Sequence, residues 1–429
     1  PIQPGKVRMY VCGITPYDTS HLGHGRVYVT FDMFYRLLLF LKYDVTYCRN
    51  FTDIDDKLIT KAEKEFGDGL RYREIAQRYI DAYHQDMAAL GCLRPTYEPR
   101  VTETIAEIIT FVQGLVDAGK AYVVDGDVYF SISSFPDYGK LSKRNLDDLK
   151  VGARVEINEQ KRDPLDFALW KSESEGTFWQ SPWGWGRPGW HIECSAMAAQ
   201  YLGKHIDIHA GGLDLIFPHH ENEIAQSQAL YGGCFANYWM HNGFVTVKQE
   251  KMSKSLGNFF TLRQVFEHVP PMVVRYYILS HHYKAPLEFS LDDVQASGKS
   301  YKRLCKVFEG VPTPTQAWRV TDATSETVRA MLTFLQDDLN TSGMWGVVFE
   351  RLATLADDAQ DKAQVKAFIT TVLGLDLQPI PEKEVAMTPE IEKLLRERDE
   401  ARAARDWKRA DTIRDQLVAL GVAVQDKKS

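Results

Sequence analysis

The chain holds little of what marks a secreted, membrane-spanning or fibrous protein. Only six cysteines, Cys12, Cys48, Cys92, Cys194, Cys234 and Cys305, are spread over 429 residues. That is no disulfide framework; it points to a reducing cytoplasm, with thiols left for metal binding or core packing. No apolar run of about 18 residues occurs, so no membrane span is expected. The start, Pro1-Ile2-Gln3-Pro4-Gly5, has no apolar segment like that of a signal peptide. It also has no initiator Met, so a longer translated chain is expected. Basic charge is in short supply: 51 Lys and Arg face 58 Asp and Glu, a net charge of -7. Nucleic-acid binders usually carry a basic excess, so the global balance speaks against RNA and leaves room for a local basic face. No internal repeat or low-complexity tract stands out.

What remains is ordinary globular composition, 44% apolar and 25% charged. The length exceeds one compact core, so roughly two to four domains are expected. Val7, Met9 and Val11 alternate with Arg8, Tyr10 and Cys12, which predicts a strand ending in a loop over 13–20. A helical apolar pattern follows through Phe34, Leu37, Leu38 and Leu41. A second strand is expected over 45–51 and a helical stretch over 53–66. Strand, helix, strand at this spacing predicts a βαβ unit and a parallel sheet. From about 94 to 189 the texture changes to a helix near 102–118, short strands near 121–132, and an aromatic-rich segment with Trp179, Trp183, Trp185 and Trp190. This reads as an insertion between two halves of the sheet domain. A further strand over 205–212 and a helix over 221–231 resume the pattern. Beyond about Leu291 the chain reads as helical, with a linker over 378–387. Thr388-Pro389 then opens a helix, as N-cap and first turn, whose pattern continues through Leu394, Leu395, Trp407, Ile413, Leu417 and Leu420 to Gly421 as C-cap.

Three constellations carry chemistry. His21-Leu22-Gly23-His24 falls between a strand and a helix, where backbone amides face an anion and Gly23 admits a nucleotide close to the backbone. Lys251-Met252-Ser253-Lys254-Ser255 follows about 230 residues later; two lysines with interleaved hydroxyls can clamp a triphosphate and neutralise a departing pyrophosphate. His219 and Glu223 are four apart, so on a helix they share a face. With Cys194, 25 residues earlier, and Cys12 they make a set of two thiolates, an imidazole and a carboxylate, as zinc takes. On spacing alone the blander reading, buried cysteines and a chance His-x-x-x-Glu, is the stronger one.

The strand with Cys12, the two signature motifs, the phrase Gly189-Trp190-His191-Ile192-Glu193-Cys194 and the run Gly211-Gly212-Leu213-Asp214-Leu215-Ile216-Phe217-Pro218-His219-His220-Glu221-Asn222-Glu223 together resemble the cysteinyl-tRNA synthetase family, of class I. The likeness runs from Tyr10 to the C-terminal helices. Leu22 departs from the family's usual Ile. The resemblance implies a Rossmann-like parallel-sheet catalytic domain with an insertion domain, then a C-terminal α-helical bundle and a small anticodon-binding segment. The divisions expected are 1–93 and 190–250 for the two catalytic halves, 94–189 for the connective insertion, 251–300 for the KMSKS loop and stem-contact region, 301–380 for the bundle and 381–429 for the tRNA-binding segment. It implies activation of L-cysteine with ATP and Mg²⁺, transfer to tRNA(Cys), and one Zn²⁺ held by Cys12, Cys194, His219 and Glu223 that takes the substrate thiolate. His21, His24, Lys251 and Lys254 would be catalytic. His21, Gly23, His24, Asp214 and Lys254 would bind ATP. Thr52, Trp190, His191 and His209 would surround cysteine. A cytoplasmic monomer without a membrane partner is the expectation. Serine lacks a thiol, so a site built around that group needs no editing domain, and none is discernible. Arg396, Arg398, Arg402, Arg405, Lys408, Arg409 and Arg414 could meet RNA, but Glu397, Asp399, Glu400, Asp406, Asp411 and Asp415 among them favour a salt-bridged solvent face on sequence alone; RNA contact there is what the resemblance implies. Two rivals stay open: a cysteine ligase for a glucosamine-inositol acceptor, and an inactive RNA-binding relative. The chain ends at Ser429, shorter than the family's usual extent, so part of the last domain is expected to lie beyond it.

Overall fold

The apolar alternation at residues 7–11 becomes strand β1 (Lys6–Ile14), whose Met9, Tyr10 and Val11 are buried on both faces. A computed structural model describes residues 1–144, 161–252, 259–312, 318–380 and 388–419. Helix α1 (Leu22–Phe40) returns the chain to β2 (Asp44–Phe51), which pairs in parallel with β1 from Lys6↔Asp44 onward. Parallel neighbours need such a crossover. Helices α2 (Asp56–Phe66) and α3 (Tyr72–Ala89) follow.

Helix α4 (Ile105–Asp117) precedes an antiparallel sheet of β3 (Ala121–Val124), β4 (Asp127–Phe130), β5 (Phe167–Ser172), β6 (Trp179–Ser181) and β7 (Gly184–Pro188), in the order β3-β4-β5-β7-β6. The chain re-enters the parallel layer through α5 (Ile192–Tyr201), β8 (Ile206–Gly212), α6 (Glu221–Tyr231) and β9 (Ala236–Asn242). The parallel sheet reads β2-β1-β8-β9. From β1 the chain moves out to β2 and from β8 to β9, so the strand order switches between β1 and β8. Open parallel sheets bind ligands at such a point, beyond the carboxyl ends of the strands. Cys12 and Gly211-Gly212 lie there.

A small sheet follows, with hairpin β10 (Val245–Val247) and β11 (Glu250–Lys251), helices α7 (Leu262–Phe266) and α8 (Pro271–Leu279), and β12 (Leu287–Glu288) parallel to β10. Helices α9 (Leu291–Val307), α10 (Glu326–Gln336), α11 (Thr341–Glu350) and α12 (Ala359–Phe368) complete a first unit, Pro1–Gln378. The division expected at 300/301 falls inside α9. The helical region is tied to the sheet layer by Arg275 of α8, fully buried, which pairs with Asp32 of α1 and donates to the carbonyls of Leu90 and Leu373. No helix among the described residues is long and apolar enough to cross a membrane.

The second unit, Pro379–Ser429, holds α13 (Pro389–Ala403) and α14 (Trp407–Ala419). Thr388 caps α13 as expected, its hydroxyl accepting from the Ile391 amide at 3.2 Å. The single continuing helix expected from the sequence is instead a helical hairpin. Arg405 takes φ +59, which breaks the helix and lets Ile391, Ile413 and Leu417 meet in one small core. A single straight helix would leave those side chains in water. Gly421 and Leu420 lie outside the described residues. Of the C-terminal cations, Arg398 is buried and Arg414 pairs with Asp411 at 2.8 Å; the Trp407 ring stands 59% exposed.

Candidate active site

At the end of β1, Cys12 faces Cys194 of α5, Glu223 of α6 and His219 in the turn before α6. All four are buried, and their ligand atoms lie within 4.8 Å of one another. The i, i+4 spacing works as anticipated: His219 Nε2 is 3.1 Å from Glu223 Oε1. Cys12 Sγ stands 3.7 Å from the same carboxylate oxygen. The hydrogen bond from Cys12 holds the Cys194 thiol down to about 6 against the opposing effect of burial. Burial pushes the Cys12 thiol well up. Burial works to raise the Glu223 carboxyl, but His209 and His219 offset it and hold it at about 2. Burial works to lower His219, yet Glu223 and Cys194 bring it up to about 10. Two thiols, an imidazole and a carboxylate within reach of one point fit zinc, which takes sulfur, nitrogen and carboxylate oxygen as ligands.

A second group shares two members with the first: Cys12, His209, His220 and Glu223 also lie within 4.8 Å. His209 Nε2 is 2.8 Å from Glu223 Oε2, and its ring stacks on Trp239 at 4.6 Å. His220 Nε2 is 3.4 Å from Cys12 Sγ, and its Nδ1 is 2.8 Å from His241 Nε2. His209 is therefore buried behind Glu223. Around the first group, His191 Nδ1 sits 3.0 Å from His219 Nδ1, and the half-exposed Trp190 ring lies 4.8 Å from the His219 ring. Thr52 donates to Glu193 Oε2 at 2.9 Å and receives from Asn50.

His21 and His24 open α1 as a reciprocal cap. The His24 amide donates to His21 Nδ1 at 3.3 Å, and the His21 amide to His24 Nδ1 at 3.4 Å. The rings stack at 3.6 Å. A side chain at Gly23 would come within 2.9 Å of the His21 ring, so the glycine keeps this turn open. Lys251 ends β11, with Nζ 3.3 Å from Asp214 Oδ2 and over the Phe244 ring at 4.1 Å. One cleft of about 220 Å³ is lined by Cys12, His21, His24, Asp214 and Lys251. It thus joins Cys12 of the thiol cluster to the His21–His24 turn and Lys251. Lys254 lies outside the described residues.

Sequence reasoning missed Asn50, Glu193, His220 and His241. Glu193 and His220 adjoin named ligands in the chain, which was a usable signal. Asn50 had none. Its side chain accepts from the Gly13 amide at 2.9 Å, and a Cβ on Gly13 would fall 1.6 Å from the Asn50 carbonyl oxygen.

Residues 1–299 match the family model described as the tRNA synthetases class I (C) catalytic domain, and residues 384–429 match the cysteinyl-tRNA ligase anticodon binding domain. The chain is 46% identical to a cysteine–tRNA ligase of Geobacter sulfurreducens and 49% identical to one of Alkalilimnicola ehrlichii. Each comparison covers 99% of this chain and 94% of the relative. Among solved structures, it resembles Mycobacterium tuberculosis methionyl-tRNA synthetase in complex with methionyl-adenylate (TM-score 0.56, 14% identity, 90% of this chain and 94% of that one). It also resembles an Agrobacterium radiobacter LeuRS in a ternary complex (TM-score 0.59, 13% identity, 87% and 83%). These distant likenesses bear on the fold.

Proposed function

The chain belongs to the cysteine–tRNA ligase family of class I aminoacyl-tRNA synthetases, and from that premise we propose how its residues divide the work. The observation that carries the reading is the single cleft running from the buried Cys12 cluster to His21, His24 and Lys251. It has the layout for a thiol amino acid at one end and a triphosphate at the other. Cys12, Cys194, His219 and Glu223 would hold zinc, which when bound supplies a soft Lewis acid for the side-chain thiolate of L-cysteine. Trp190 walls the cysteine pocket on its open side. Thr52, set by Glu193 and Asn50, offers a polar contact for the amino acid's head group, and His191 orients His219. His209 acts through Glu223 and not on cysteine itself.

ATP, taken up with Mg²⁺, lies along α1's first turn. His21, Gly23 and His24 receive its phosphates where the helix dipole favours negative charge, and Asp214 faces the adenosine. The cysteine carboxylate attacks the α-phosphate, pyrophosphate leaves, and Lys251 with Lys254 neutralises its charge. The 2′-hydroxyl of the terminal adenosine of tRNA(Cys) then takes the cysteinyl group. Neither step needs a protein nucleophile, so positioning and electrostatics supply the rate. The second unit would meet the anticodon through the α13–α14 hairpin. The reading places a monomer in the cytoplasm, where its cysteines, all free, stay reduced.

The match of 384–429 to an anticodon-binding model favours tRNA over a sugar acceptor. The test offers the chain cysteine and ATP with either tRNA or glucosamine-inositol. Cysteine esterified to tRNA alone is the expected result; a sugar conjugate without charged tRNA overturns the reading.

A further inference from the structure

Arg26 sits on α1 two residues past His24, and it is 1% exposed. A buried cation normally finds a carboxylate. Among the described residues Arg26 meets none. Its guanidinium donates instead to backbone carbonyls: Phe244 at 2.6 Å, Tyr283 at 3.2 Å, His282 at 3.4 Å, and Ala285. Burial draws it down to about 10, so it stays charged at neutral pH.

These carbonyls share a location. Phe244 immediately precedes β10, the first strand of the hairpin that carries Lys251. Its carbonyl also accepts from the Leu287 amide of β12 at 2.9 Å. The 282–285 turn leads into β12, and Gly243 passes so close that a Cβ there would lie 2.6 Å from the carbonyls of Lys284 and Ala285. Arg26 thus closes the crossing of two backbone segments with one planar fork of donors, which a lysine cannot reproduce. Residues 260–262 are also tied to the start of α1. The Leu22 amide donates to Phe260 at 3.2 Å, and the Leu262 amide to Ser20 at 2.8 Å.

We propose that Arg26 is a positioning residue for amino-acid activation: it fixes the entry side of the Lys251 hairpin to the His21–His24 turn, so that the two phosphate-binding elements meet ATP as one frame. The inference rests on the synthetase reading above. Cys194, His219 and Glu223 lie outside the segments that Arg26 binds, so a loss in kcat without a loss of zinc or of cysteine binding separates positioning from a general loss of structure.

Cysteine-dependent ATP–pyrophosphate exchange is measured on the full chain and on Arg26→Lys, with zinc content alongside. Arg26→Lys is expected to lower kcat roughly 10- to 100-fold, the cost of misplacing a catalytic group by about 1 Å. KM for cysteine and zinc content should stay at the parental level. If Arg26→Lys is insoluble, Gly243→Ala, which presses on the Ala285 carbonyl that Arg26 binds, decides the matter; the same loss in kcat alone is expected. Parental kcat per zinc-loaded molecule in the variant, or equal losses in kcat and in cysteine binding, overturns the positioning role. A parental chain with no exchange overturns the synthetase reading, and this inference with it.

Discussion

Shortening the His209 side chain tests how the buried carboxylate is held. His209 Nε2 lies 2.8 Å from Glu223 Oε2, and both side chains are fully buried. The other oxygen of Glu223 faces His219 and Cys12. His209→Asn shortens the side chain and leaves Oε2 without its partner in a place where little water can replace it. A hydrogen bond to a charged group is worth about 1.5–3 kcal/mol. At about 1.4 kcal/mol per factor of ten, zinc should bind roughly 10- to 100-fold more weakly, the range expected when a ligand's outer partner is lost. His219→Ala removes a direct ligand and should cost more. Competition with a chromophoric chelator reads both variants against the parental chain. A zinc affinity for His209→Asn within about twofold of parental refutes the argument. Complete zinc loss in His209→Asn, with retention in His219→Ala, would put the ion in the Cys12–His209–His220–Glu223 group instead.

Gly13→Ala would drive a methyl group to 1.6 Å from the Asn50 carbonyl oxygen and force β1 and β2 apart beside Cys12. A loss of at least about 1–3 kcal/mol in thermal or urea unfolding is expected, together with weaker zinc binding. Glu98, between Arg49 at 2.7 Å and His84 at 3.3 Å, gives a pH signature. Burial works to raise its carboxyl, but His84, Arg49 and Arg94 hold it at about 2. The folded chain therefore binds fewer protons there than the unfolded one. The stabilisation, on the order of 3 kcal/mol, is complete above about pH 4.5 and is lost as pH falls through about 2. Glu98→Gln should flatten that part of the stability profile and lower stability at pH 7; an unchanged acid limb would contradict it. A chain ended after Gln378 should keep pyrophosphate exchange and lose most tRNA charging; equal charging by both would remove the proposed role of the α13–α14 hairpin.

Much of this architecture was legible because local pattern and tertiary need agree. The alternation around Val7, Met9 and Val11 is a central strand, and the His219–Glu223 spacing does bring both side chains to one point. His21 and His24 hold more than spacing promised, since each caps the other's backbone. What stayed hidden depends on partners distant in sequence. Asn50 matters because β2 lies beside β1 at Gly13, which no local signal reports. The contact between His209 and Glu223 likewise joins two elements that no local signal relates. Nothing local marks Arg26; only the meeting of residues 244 and 282–285 gives it acceptors. The C-terminal pattern concealed a break at Arg405, because helical periodicity continues across the turn while the backbone reverses.

The central claim is that the buried Cys12 cluster and the His21–Lys251 cleft form one site for activating cysteine. Cysteine-dependent ATP–pyrophosphate exchange, with serine as the control and zinc measured in the same samples of the parental chain, Cys12→Ser and His219→Ala, tests it most directly. Exchange with cysteine alone, lost together with zinc in both variants, is the predicted result. Exchange that persists unchanged after zinc is lost, or that serine supports equally, would contradict the account.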